Sequence, residues 1–313
     1  KQLAVVHAVG SPDATRSHFD AQDYLESGTP GNKGTDSGWL NRAVGLARSR
    51  EGNLSGGPLA AVALTPLLPR ALAGPTPAVA VADLADFALT PSRALPTSGD
   101  GFEALYAQTT ERLLRSTAAE TFDALERIAA AKLANARPAA GADYPRTKLG
   151  AAMQQIAALI KADLGLEVAF AESTGWDTHA QQGSSRGGFA RAANDLAQSI
   201  AAFWYDLGAD REHVVLSTMT EFGRTVRENG SGGTDHGHGS CLFVLGTGVD
   251  GGKVHGRFPG LEPAALYEGR DLAITTDFRA VFSELAAHHL GVADSAALFP
   301  GWNGGRLPLF RRT

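Results

Sequence analysis

Four short apolar runs recur along the chain: LAVVHAV (3–9), LEVAFAES (166–173), HVVLSTM (213–219) and SCLFVLG (240–246). Runs of this length, with little alternation of polar and apolar residues, suit strands buried on both faces. The stretches between them have helical periodicity. SHFDAQDYLESG (17–28) places Ser17 where a helix N-cap belongs and Gly28 where a helix ends. A second helix is predicted over 147–163. In the clearest periodic signal, Phe189, Ala193, Leu196, Ile200, Phe203 and Leu207 are spaced alternately four and three residues apart, so this helix must lie flat on a sheet or on another helix. DFRAVFSELAAHHLG (277–291) closes the series. Buried-type strands separated by amphipathic helices predict an α/β fold, a mainly parallel sheet sandwiched by helices.

With 313 residues, 43% hydrophobic and 19% charged, the chain can bury a large core. It reads as a single domain over 1–313. Residues 52–100 are rich in Pro and Gly and form an irregular excursion, with one short strand at 78–84. A helical stretch follows at about 101–163. Its first part, Gly101 to Asn135, has Phe102, Leu105, Tyr106, Thr109, Leu113, Phe122, Leu125 and Ile128 roughly on one stripe. RPAAGADYP (137–145) reads as a flexible loop. The net charge of -5 and the lack of any basic block exclude nucleic acid as a partner. The single cysteine, Cys241, excludes an internal disulfide and a thiolate cluster, so any metal must be held by histidine and carboxylate. No run of about 18 apolar residues is present, which predicts no membrane span. The chain opens on KQLAVVHAVG, without an initiating methionine. A processed, trimmed or partial protein is expected, whose missing front could carry an address and structure.

In an open parallel sheet, ligands bind outside the carboxyl ends of the strands. Polar clusters sit at those ends. Asp177 and His179 in GWDTHAQQG are one residue apart, which in extended chain puts both side chains on one face, close enough to share an ion; the alternative is a helix start capped by Asp177 with a solvated His179. TEFGRT offers Glu221 as an acceptor and Arg224 as a donor, or simply a surface ion pair. Asp235, His236 and His238 in TDHGHG offer up to three ligands over four residues, and the intervening glycines allow close backbone approach; a hydrogen-bonded turn is the other reading. Ser17 and His18 stand at a helix N-terminus, which favours an anion. Ser17 as a plain N-cap and His18 as a core or capping imidazole remain open.

GWDTH, TEFGRT, GTDHGHG, GGKVHG and TTDFRAVF, in this order and spacing, resemble the family called domain of unknown function 1501, bacterial proteins exported by the twin-arginine route. The resemblance runs from about Leu3 to about Gly291 and implies an alkaline-phosphatase-like fold. Members of that superfamily include phosphatases, phosphomutases and sulfatases with two metal positions. Three departures stand out. The superfamily's first metal aspartate belongs to a preceding strand, in a Gly-Gly-x-Asp-Gly setting that this chain lacks. Its usual interval back from Gly28 lands on His18 rather than Ser17. Glu221 is followed by Phe222 where many relatives have an aspartate-histidine pair. The function implied is a metal-dependent hydrolase of phosphate or sulfate esters, small or polymer-linked, in the periplasm or secreted. One or two zinc or manganese ions would be held by Asp177, His179, Glu221, Asp235, His236 and His238. Ser17 or His18 would attack or position water, and Arg224 would clamp an oxygen. The alternative is a non-catalytic, metal-containing exported protein that binds a polymer or scaffolds a complex.

Overall fold

The computed structural model of the chain describes residues 1–50, 57, 59–84, 127, 131, 133 and 136–311. The amphipathic stripe predicted between Phe102 and Ile128 lies outside the described residues. Two sheets organise the rest. In the first, β1 (Leu3–Gly10) is central, with β5 (Val215–Ser217), β6 (Ser240–Gly246), β7 (Val254–His255) and β8 (Thr276–Asp277) around it in the order β5-β6-β1-β7, β8 lying beside the end of β1. The second has β2 (Ala61–Ala63), β3 (Val79–Ala80) and β4 (Val168–Phe170), in the order β3-β2-β4.

The second sheet is parallel throughout, but the first is mixed. β7 and β8 run parallel to β1, whereas β6 runs antiparallel to both β1 and β5. This corrects the expectation of one mainly parallel sheet. The physical reason lies in the connection: β5 passes to β6 through a loop with no α-helix to carry the chain back along the sheet, so the neighbouring strand returns in the opposite direction. Apolar runs carry no mark of direction.

Six α-helices are defined among the described residues: α1 (His18–Ser27), α2 (Trp39–Arg50), α3 (Lys148–Lys161), α4 (Gly188–Asp206), α5 (Phe278–His289) and α6 (Ser295–Leu298). None is long and apolar enough to cross a membrane. Alternate residues of one face of the first sheet, Ala4 and Val6 of β1 with Leu242 and Val244 of β6, pack against Leu25 of α1, Ala43 of α2 and Phe278 and Phe282 of α5. Trp39 of α2 stacks on Phe282, ring centroids 4.6 Å apart. The second sheet is covered on both faces. Val62 and Val79 meet Met153 and Ile156 of α3 and Phe203 of α4, while Ala61, Ala63 and Val168 meet Val44 of α2. From Leu196 to Leu207 the four-and-three stripe of α4 thus docks on α3 and the sheet beneath it, whereas Phe189 at its start is exposed and lies edge-on to Trp176. Adjacent residues of α2, Ala43 and Val44, enter different cores.

The loop expected to be flexible at 137–145 is pinned. Buried Asp206 at the end of α4 accepts from the Ala139 N–H at 2.6 Å, from the Tyr144 hydroxyl at 3.0 Å, and from Lys161 of α3. Burial and this bond push the Tyr144 hydroxyl well above the usual phenol range.

Phe282→Ala should lower stability by about 3–5 kcal/mol, because it removes a fully buried ring and the stacking partner of Trp39. Urea unfolding measures this. A loss under about 1 kcal/mol, the size of an ordinary surface change, would place that stack outside the cooperative core.

Candidate metal centre

The register that pairs Val9 with Ser240 puts the loop before β6 at the same edge as the residues that follow β1. β5 runs parallel to β1, so the loop after it reaches this edge too. There the TEFGRT and TDHGHG segments form a narrow ribbon. Thr225 N–H donates to the Asp235 carbonyl at 2.9 Å, Gly237 N–H to Gly223 at 2.8 Å, and Gly223 N–H to His238 at 2.9 Å. A Cβ on Gly237 would lie 2.5 Å from the backbone of Arg224, which no side chain can tolerate. The loop after β4 comes across from the second sheet and docks on the same segment. Thr234 N–H donates to the Thr178 carbonyl at 3.1 Å and Gln182 N–H to Gly232 at 2.8 Å. Gly233 allows this contact, since a Cβ there would run into the backbone of His179.

The result is three imidazoles around one carboxylate. Nε2 of His179 and Nε2 of His236 lie 2.9 and 3.0 Å from Asp177 Oδ1, and Nε2 of His18 lies 3.4 Å from Oδ2. Each ring is held from behind. The Nδ1 of His236 faces the backbone carbonyl of Arg16 at 2.8 Å; a carbonyl only accepts, so this nitrogen carries a proton. The Nδ1 of His18 meets Glu221 Oε1 at 2.8 Å, and that of His179 meets Asp235 Oδ1 at 2.9 Å. Asn229 Nδ2 donates to the same Asp235 oxygen at 2.9 Å. Phe222 packs on the rings of His18 and His236, centroids 4.9 and 4.5 Å away. When neutral, all three rings therefore turn Nε2 lone pairs toward Asp177.

That arrangement requires positive charge. Nε2 of His179 and Nε2 of His236 face each other at 3.0 Å, and two lone pairs at that distance repel unless a proton or a cation lies between or beside them. Three carboxylates (Asp177, Glu221 and Asp235) against one guanidinium (Arg224) leave two negative charges when the rings are neutral, and a divalent ion would balance them. Ligand atoms of His18, Asp177 and His236 lie within 4.8 Å of one another, a possible metal site. Imidazoles whose far nitrogen is fixed by a carboxylate or a carbonyl are the usual setting of histidine ligands. The donor set thus fits a divalent ion.

Of the residues singled out in the sequence, His18, Asp177, His179, Glu221, Arg224, Asp235 and His236 come together. Glu221 and Asp235 stand behind histidines rather than pointing inward. Arg224 donates to Asp177 and, through Nε and Nη2, to the side chain and carbonyl of Thr234. Burial disfavours the charge of Asp177, but the bonds from Arg224 and His236 and the nearby charge of His179 outweigh it and bring the carboxyl down to about 2. His238 is elsewhere: it is buried and stacks on Tyr267, centroids 4.3 Å apart. Ser17 is exposed at the N-cap position of α1, and its side chain makes no capping bond. Sequence reasoning did not single out Arg16, Asn229, Thr234, Arg270 or Asp271. Thr234 opens the quoted TDHGHG and Arg16 directly precedes SHFDAQDYLESG, but nothing local marks Asp271.

The fold and site being as described, the chain matches over residues 5–299 the family model whose description is "Protein of unknown function (DUF1501)". It belongs to that family. No curated protein and no solved structure matches it. The part of this DUF1501 chain covered by the match includes both sheets, apart from Leu3 and Ala4 of β1, and every residue of the centre.

Gly237→Ala should abolish the ribbon while leaving the buried clusters intact. The expected result is native-like far-ultraviolet circular dichroism with at least about tenfold weaker zinc binding, since ligand positions tolerate little displacement; unchanged zinc affinity would show that the close approach of Gly237 does not build the site. Stability should also fall with acid. Burial holds the imidazole of His238 below its ordinary value. The unfolded chain therefore takes up this proton first, and stability is lost as pH drops below about 6.5. The urea midpoint of His238→Gln should vary less than that of the unmodified chain between about pH 6.5 and 5. Equal slopes would assign the acid sensitivity to other groups.

Proposed function

We propose that the chain is a divalent-metal-dependent hydrolase of phosphate or sulfate esters, built on an alkaline-phosphatase-like fold and acting in the periplasm or outside the cell after twin-arginine export. The observation that carries this reading is the convergence of three acceptor-backed imidazoles on Asp177. The fold, the ester chemistry and the export route are supported by the resemblance of GWDTH, TEFGRT and GTDHGHG to the DUF1501 family, and the first two through that family's resemblance to the alkaline-phosphatase-like superfamily. His18, Asp177 and His236 would hold an ion, with His179 turned to the same carboxylate and available to it or to a second one. A nitrogen-rich set of this kind suits zinc or manganese better than calcium, which prefers all-oxygen ligation.

Such an ion supplies Lewis acidity toward an oxygen of the phosphoryl or sulfuryl group. The chain's own residues do the rest. Glu221, Asp235 and the Arg16 carbonyl keep the Nδ1 protons in place, so each ring presents a lone pair. Arg224 keeps Asp177 ionised and directed. The unpaired N–H groups at the start of α1 favour an anionic group there, beside His18. Ser17, exposed at that N-cap, is the candidate to attack or to position water. A small ester or an ester carried on a polymer would fit this open edge.

A second reading is a non-catalytic, metal-containing exported protein that binds a polymer or scaffolds a complex. Arg224 favours it, because its guanidinium is already committed to Asp177 and Thr234 rather than free to clamp an ester oxygen. The two readings separate on a panel of aryl phosphate monoesters, diesters and aryl sulfates. Hydrolysis predicts turnover that chelator abolishes and zinc or manganese restores, with His236→Ala reducing kcat/KM more than about 100-fold. Protein that binds metal yet turns over none of these esters would overturn the enzyme reading in favour of the second.

A further inference from the structure

We propose that Asp271 is the positioning residue of this centre: its carboxylate fixes where His236 sits and which of its ring nitrogens carries the proton. The inference rests on the metal-centre reading and deepens it. Asp271 is fully buried. Its Oδ2 accepts from Arg16 Nε at 3.1 Å and Nη2 at 2.7 Å, and from Arg270 Nη2 at 3.1 Å, while Oδ1 accepts from Arg270 Nε at 2.9 Å. The same two arginines then grip His236 from both ends. The carbonyl of Arg16 accepts from the His236 Nδ1–H at 2.8 Å, and Arg270 Nη2 donates to the His236 carbonyl at 2.8 Å. Arg16 also sits two residues before His18 at the start of α1, so one carboxylate ties together two of the segments that bring imidazoles to Asp177.

Backbone bonds hold the carboxylate itself. Asp271 and Tyr267 exchange N–H to carbonyl bonds at 3.0 and 2.9 Å, and the next residue, Leu272, accepts from Gly239 N–H at 2.8 Å. A buried ion pair contributes little net stability, but its bidentate geometry is directional and costly to leave half made. Asp271→Asn keeps the shape, removes the charge and leaves a single acceptor atom for two guanidinium groups.

The test compares Asp271→Asn and Arg270→Gln with Asp206→Asn, an equally buried acid with several partners between α3 and α4. Circular dichroism and melting temperature measure folding, competition with a chromophoric chelator measures zinc affinity, and nitrogen-15 NMR of the metal-free protein reads the His236 tautomer. We expect Asp271→Asn to weaken zinc about 10–100-fold and to mix the tautomers, Arg270→Gln to do so less, and Asp206→Asn to melt earlier with its zinc affinity nearly unchanged. Equal weakening in Asp271→Asn and Asp206→Asn at matched losses of melting temperature would reduce Asp271 to a structural role and overturn the proposal. Should the unmodified protein bind no zinc, the metal reading falls, and the tautomer decides this one separately: a Nδ1-protonated His236 that Asp271→Asn leaves unaltered sinks it. If Asp271→Asn does not fold, Arg270→Gln is judged on the same readouts.

Discussion

Ser240 lies opposite Val9, and from this register most of the chemistry follows. Because β6 runs against β1, the residues that precede it meet the residues that follow β1 and β5. Had β6 been parallel, TDHGHG would have emerged at the opposite edge from His18 and Glu221, some 20 Å away for strands of six or seven residues. The antiparallel turn-back is therefore the reason a site exists in the first sheet. The second sheet supplies the remainder through the loop after β4, which carries Asp177 and His179 across to Thr234 and Gly232. Close backbone approach at Gly233 and Gly237 closes the gap between the two contributions.

The centre is a problem of charge before it is a problem of catalysis. Three carboxylates and one guanidinium surround rings whose outer nitrogens are already engaged. Protons on the rings or a divalent ion among them both answer the imbalance, and the two compete, since metal binding requires neutral imidazole. Glu221 and Asp235, which sequence alone offers as ligands, serve the site better from behind: a carboxylate that accepts a hydrogen bond from Nδ1–H raises the basicity of Nε2 and fixes the plane of the ring. Arg224 has a comparable role toward Asp177. Its bond to the Thr234 carbonyl also makes it part of the ribbon, so the charge of the site and the path of its backbone are set by one side chain.

Long or strongly periodic elements were legible in the sequence. β1, β6, α3, α4 and α5 fall within a residue or two of their predicted bounds, because each has either an unbroken apolar run or a clear four-and-three stripe. α2 was not read at all: WLNRAVGLARSR carries a glycine and several charges, and its burial is divided between two cores, so no single stripe shows. β2 is three residues long within a Pro- and Gly-rich region, and strand direction is invisible to composition. At the site, motif residues were legible because histidine and aspartate cluster there. Asp271 was not, since its importance comes from Arg16, which is 255 positions away in sequence. His238 shows the opposite error: a histidine two residues from a ligand candidate turns away and packs on Tyr267, as alternation along an extended segment does not by itself decide.

Trp39 and Ala43 of α2 belong to the core under the first sheet and Val44 to the core under the second, so a single helix joins two layers, one bringing His18 and His236 to the cluster and the other His179. Any tilt of one layer against the other would unseat buried side chains on this helix and, at the far end of the strands, would pull His179 away from His236. The gap between those two rings is thus a gauge of interlayer alignment. An ion seated among them would add a brace between the layers, beside α2 and the backbone bonds that join Thr234 to Thr178 and Gln182 to Gly232.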